Sequence, residues 1–208
     1  MNSVSGINEG YWKRLSPRHA GWKVVTICRS YFWALLVFLV VGAVSNAQQA
    51  RPTEFQVKAA YLFNFGKFVR WPGGAGPGSL EICVLGKNPL GSMLEVTVKG
   101  ESIDGKQVRS RTISNLQEAS SCNILFVSGS EEGRLPAILP AARRGGMLTV
   151  SDIPHFAERG GMIEFVNQQD RIRFVINADA IEDAGLTVSS ELLKVAAKVT
   201  RKNTGGGN

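Results

Sequence analysis

Between residues 54 and 72 the chain reads EFQVKAAYLFNFGKFVRWP, with Phe55, Ala59, Leu62, Gly66 and Val69 recurring at spacings of three or four. That period predicts a helix with an apolar stripe. A helix facing water on its far side is polar there. This one is not, because Val57, Ala60, Phe68 and Trp71 fall opposite the stripe, with Tyr61 and Phe65 between. Two readings stand. Either the helix is buried on two sides, or Val57, Tyr61, Phe65, Phe68 and Trp71 form a second face kept for a partner or a dimer mate. Trp71-Pro72 ends it, since proline disfavours helical geometry in the residue before it.

Downstream the pattern changes to short apolar runs. Residues 73–78 (GGAGPG) form a flexible link. Segments 80–85 (LEICVL), 122–127 (CNILFV) and 147–150 (MLTV) read as buried strands, and 108–113 alternates like a half-exposed one. Asn88 with Pro89 predicts a cap and a short helix through Leu94. Residues 100–106 are a turn. A helix over 131–144 carries Leu135, Ile138, Leu139 and Ala142 on one side, interrupted by Pro136 and Pro140. Strands 162–166 and 171–176 are separated by the polar residues 167–170, which predicts an antiparallel hairpin. In the second of these, Arg171, Arg173 and Val175 face one side and Ile172, Phe174 and Ile176 the other. Residues 177–184 form a helical turn. Ser189 or Ser190 caps a last helix with Leu192, Leu193, Val195, Ala196 and Val199 on its apolar face. Strands alternating with helices predict a three-layer α/β/α sandwich, with a mainly parallel sheet and an antiparallel hairpin edge.

The N-terminal part does not belong to that domain. A basic, tryptophan-containing stretch precedes the apolar run 31–44 (YFWALLVFLVVGAV), and Ser45-Asn46-Ala47 supplies small residues at the first and third places. This is the order of a signal peptide, which predicts cleavage after Ala47 and export to the periplasm. The run is short for a membrane span of about 20 residues, although an uncleaved anchor is the alternative. The expected organisation is a signal peptide at 1–47, one α/β domain at 48–200 and a disordered tail at 201–208.

The formal charge of +7 shrinks once it is divided. Residues 1–47 hold five cations against Glu9 alone, so the remainder is +3, with no basic run longer than two residues. Nucleic-acid binding needs a concentrated basic stripe and is not expected. Cys83 and Cys122 remain after cleavage, both on strand segments. In an oxidising compartment they are expected either to bridge or to stay as two buried thiols. With His155 the one histidine left and no CxxC, no metal site and no cofactor are expected.

Candidate chemistry gathers at the predicted strand tips. Gly86, Lys87 and Asn88, then Ser128 and Gly129, then Ser151 and Asp152 follow successive strands, where open α/β sheets bind ligands. The same residue types also serve as ordinary turns and caps. A Ser–His–Asp set can be written from Ser128 or Ser151, His155 and Asp152, but no GxSxG surrounds a serine and no enzymatic activity is expected.

Five segments taken together carry a resemblance. They are 55–72 (FQVKAAYLFNFGKFVRWP), 82–91 (ICVLGKNPLG), 122–128 (CNILFVS), 148–165 (LTVSDIPHFAERGGMIEF) and 171–196 (RIRFVINADAIEDAGLTVSSELLKVA). From about residue 54 to 197 the chain resembles the YfiR family of periplasmic proteins. The resemblance implies a homodimeric, non-catalytic repressor. Its partner would be the periplasmic domain of an inner-membrane GGDEF-type diguanylate cyclase, so that it controls cyclic di-GMP and biofilm formation. The membrane would be met only through that partner. Cys83 and Cys122 match a cysteine pair of the family; a second, later pair known in it is lacking here. A small-ligand sensor or solute-binding module using the strand-tip crevice is the alternative reading.

Overall fold

In the computed structural model, residues 52–72 and 78–201 are described. The proposed signal peptide, its cleavage point, most of the 73–78 link and residues 202–208 lie outside the described residues.

Helix α1 spans Glu54–Phe68. Thr53 and Gln56 form a capping box at its start, which satisfies two of the free N–H groups of the first turn. Strand β1 (Val69–Arg70) follows at once and pairs antiparallel with β9 (Thr187–Val188). This corrects the expected run of the helix to Trp71. The β-branched Val69 takes an extended conformation because its backbone is claimed by a segment distant in sequence.

The main sheet has eight strands. These are β2 (Ser79–Leu85), β3 (Ser102–Ile103), β4 (Lys106–Ile113), β5 (Ile124–Val127), β6 (Leu148–Ser151), β7 (Ile163–Gln168), β8 (Arg171–Asn177) and β10 (Lys198–Thr200). Their order is β10-β8-β7-β6-β5-β2-β4-β3. The run from β7 to β4 is parallel, and β7 and β8 form an antiparallel hairpin. Gln169 and Asp170, both at positive φ, make its two-residue turn, the primed geometry that matches strand twist. The hairpin is not the edge, because β10 adds parallel to β8.

Both faces of the sheet are covered by helical segments. Ile82, Val84, Phe126, Val150, Phe165 and Phe174 face α1, together with α2 (Met93–Val98), α4 (Ala178–Asp183) and α5 (Ser190–Val195). Cys83, Leu85, Leu125 and Val127 face α3 (Leu135–Arg144) and a 3₁₀ segment at Leu116–Ser121. A strand apolar on both sides follows from burial on both sides. The result is an α/β sandwich of three layers with a mainly parallel sheet.

Several sequence expectations shift locally. Asn88 does not cap a helix: its Oδ1 accepts from Leu90 N at 2.9 Å in a side-chain turn, and the helix begins only at Met93. Residues 100–106 contain β3, paired to β4 around Asp104-Gly105. The segment from 131 divides into a 3₁₀ turn, Gly129–Arg134, and α3, in which Pro140 sits inside the helix. Ser189 does cap the last helix, accepting from Leu192 N at 3.3 Å. That helix stops at Val195, and Val199 lies on β10 instead.

Candidate functional site

The tips of β2, β5 and β6 open onto one crevice of about 470 Å³. Lys87, Asn88, Pro89, Ser128, Gly129, Ser130 and Asp152 line it. Five of the seven sequence candidates are therefore brought together. The other two, Gly86 and Ser151, serve the turns behind it. Gly86 has φ +89, and its backbone passes so close to Ser130 and Glu131 that a side chain has no room. Ser151 is fully buried, donates to Val127 O at 2.7 Å and accepts from Ile153 N at 3.0 Å.

The polar groups of the crevice are partly committed to its own walls. Asn88 Nδ2 donates to Gly91 O and Thr112 Oγ1, so its amide braces the β2 turn. Ser130 Oγ accepts from Lys87 N at 3.0 Å, tying the β2 tip to the β5 tip. The Lys87 side chain stays exposed at the rim.

Asp152 is the acidic group of the crevice lining, and it is tied to a buried lysine. Lys58 Nζ donates to its Oδ2 at 2.7 Å and lies 2.5 Å from Glu54 Oε1 on the same helix. The Lys58 side chain is 5% exposed, against 27% for Asp152 and 49% for Glu54. Burial pulls the Lys58 pKa down, but the bonds and charges of Asp152 and Glu54 more than compensate and hold it above its ordinary value. Lys58 did not emerge from the sequence. Its spacing of four from Glu54 was a visible signal; its bond to Asp152, on another layer, was not.

The hydrolase constellation does not assemble. Ser151 is bonded to backbone and Asp152 to Lys58, while His155 Nδ1 lies 3.1 Å from Glu158 Oε2 on the surface. Among the described residues no group of His, Cys, Asp or Glu gathers as a metal site would.

The second face of α1 is mostly interior. Phe65 is fully buried, stacked on Tyr61 and Phe165 and edge-on to Phe174. It therefore leaves the candidate interface and belongs to the core. Tyr61, Phe68 and Trp71 are half-buried and pack against the same core, and Val57 is half-buried. Phe55, expected in the core stripe, lies in the first turn of the helix and is 43% exposed.

Cys83 and Cys122 are bridged, with Cα atoms 5.8 Å apart. Adjacent strands make this possible: Cys83 lies beside Leu125 in the β2–β5 register, close to where Cys122 precedes β5.

Among solved structures the chain is similar to an ABC domain in complex with L-Trp from Streptococcus pneumonia, at 14% identity and a TM-score of 0.48. That match covers 68% of this chain and 60% of the other. A conserved domain protein from Vibrio cholerae matches at 12% identity and 0.47, over 71% and 60% of the two chains. A ligand-free, open substrate-binding protein with adhesive properties from Clostridium difficile matches at 13% and 0.43, over 70% and 60%. The chain thus spans about 60% of the length of each. No curated protein matches the sequence. Among the described residues no helix is long and apolar enough to cross a membrane. Residues 55–197 match a family profile described as YfiR/HmsC-like, which takes in every element from α1 to α5. The chain belongs to the YfiR/HmsC-like family, and membership supports, at the level of the family, a periplasmic regulator.

Proposed function

We propose that this protein is exported through its N-terminal signal peptide and, as a homodimer, binds the periplasmic domain of an inner-membrane GGDEF-type diguanylate cyclase. Binding holds the cyclase inactive and so lowers cyclic di-GMP and biofilm formation. The observation that carries this reading is the family match over residues 55–197. A repressor of this kind needs only a higher affinity for the inactive state of its partner than for the active one. That requirement sits well with a chain in which the candidate catalytic side chains are bonded elsewhere. The test is co-expression of the exported chain with the cyclase to which it crosslinks in membranes, reading cyclic di-GMP. Repression relieved on deleting the chain supports the proposal. Unchanged cyclic di-GMP, or no crosslinked cyclase, overturns it.

A second reading is favoured by one observation, the convergence of Lys87, Asn88, Ser128, Gly129 and Asp152 on a single crevice. Its volume lies within the range of small-molecule sites. In this reading the crevice takes a small anionic metabolite as the input signal, with Lys87 supplying the cation. Titration with inorganic phosphate and simple nucleotides, followed by thermal shift, tests it. A shift that Lys87→Ala abolishes supports the reading, and no shift from any of these anions counts against it.

A further inference from the structure

We propose that the β10 edge of the sheet is the docking surface for the regulated partner, and that it takes an extended segment in which acidic and apolar residues alternate. This rests on the regulator reading above and names the surface it uses. Strand β10 ends the sheet, with β8 on one side and no strand on the other among the described residues. An open edge accepts an added strand through main-chain hydrogen bonds, and the side chains on its two faces set the choice of partner.

Those two faces differ in chemistry. Lys198 is in register with Val175, so it shares a face with Arg173 and Arg171, away from α1. The apolar cluster beneath α3 draws on β2, β4 and β5 and contains no residue of β7, β8 or β10, so this end of the face lacks that apolar cover. Val199 is in register with the buried Ile176 and so points to the opposite face. It is 38% exposed, and Val195, just before the strand, is 57% exposed. Among the described residues these are two of four large exposed hydrophobics.

The cations lack carboxylate partners. Arg173 donates to Val195 O, a backbone carbonyl, and no carboxylate of the described residues lies within ion-pair distance of Arg171, Lys194 or Lys198. Arg201, which follows β10, does have such a partner in Glu182. Successive side chains of an incoming strand point to opposite faces. One face meets Lys198 and Arg173, the other meets Val199, which selects alternating acidic and apolar residues. A second copy of this chain fits badly, since edge pairing would bring two sets of the same cations together.

The experiment measures binding of the exported chain to the periplasmic domain of its crosslinked cyclase, with Lys198→Glu/Arg171→Glu and, separately, Val199→Asp. All three positions are exposed, so folding is preserved, which circular dichroism checks. Each variant is expected to weaken binding at least about tenfold, with the wild-type affinity falling as salt rises. Wild-type affinity retained in both variants overturns the edge and leaves the regulator reading intact. A wild-type chain that binds no such domain overturns both. Wild-type binding to phosphatidylglycerol vesicles that the charge variant loses, with domain binding unaffected, assigns the patch to lipid and overturns the proposal. Sedimentation showing self-association lost with Val199→Asp, and domain binding kept, assigns the edge to a second copy and overturns it likewise.

Discussion

Lys58 Nζ donates to Asp152 Oδ2 at 2.7 Å, joining the first helix to the tip of a central strand. One partner is buried and the other lines the crevice. Removing either therefore has unequal consequences. Asp152→Asn leaves a buried ammonium with Glu54 alone, which is half in water. An uncompensated buried charge is costly, and about 1–3 kcal/mol of stability is expected to go. Lys58→Met removes the buried charge, keeps the apolar stem, and leaves Asp152 to be solvated in the crevice. A cost within about 1 kcal/mol is expected. Urea denaturation of the two variants decides it: equal losses would contradict the assigned burial.

The same lysine predicts an alkaline dependence. Burial lowers its pKa, but the bonds and charges of Asp152 and Glu54 together outweigh burial and hold it above the ordinary 10.5. The native state therefore holds this proton more tightly than the unfolded chain. The associated stability is complete below the unfolded pKa and is lost as the pH rises through the folded one. Wild-type stability measured from about pH 9 to about pH 12 should fall more steeply than that of Lys58→Met. Parallel curves would show that Lys58 does not carry the effect.

The parts of this fold that were legible in sequence are those fixed by local pattern. The runs LEICVL and CNILFV are apolar on both faces, and they became the buried strands β2 and β5. Gly86, Lys87, Ser128 and Asp152 stand out in the sequence because strand tips are punctuated by turn residues. What stayed hidden depends on distant partners. Val69 and Arg70 look helical until Thr187 and Val188 claim their backbone. Val199 continues a helical stripe on paper, yet the open edge beside β8 draws it into the sheet. Phe55 and Phe65 are equally apolar in the sequence. Only the placement of α1 leaves its first turn in water and encloses Phe65 further along.

The disulfide between Cys83 and Cys122 closes a loop with a sequence separation of 39, which holds α2, β3 and β4. Cross-linking a loop of that length removes unfolded-state entropy worth about 4 kcal/mol. The double variant Cys83→Ala/Cys122→Ala is therefore expected to lose about 2–4 kcal/mol, read from the urea midpoint. Both cysteines are buried, so dithiothreitol should reduce the native protein only as fast as it opens. Rapid reduction in native buffer would contradict the burial.

Phe65 and Phe68 separate core from surface on one helix. Phe65 is fully buried in a ring cluster with Tyr61, Phe165 and Phe174, at centroid distances of 5.2–6.0 Å. Phe65→Ala removes a ring that its rigid neighbours cannot replace, and a loss of about 3–5 kcal/mol is expected. Phe68 is half-buried at the end of the helix, so Phe68→Ala should cost about 1–2 kcal/mol. If Phe68 is also part of a partner face, Phe68→Asp weakens association while the monomer still unfolds cooperatively in urea. A Phe68→Asp chain without a cooperative transition would assign that ring to the core, beside Phe65. A Phe65→Ala chain as stable as the wild type would instead mean that the aromatic cluster does not form the interior.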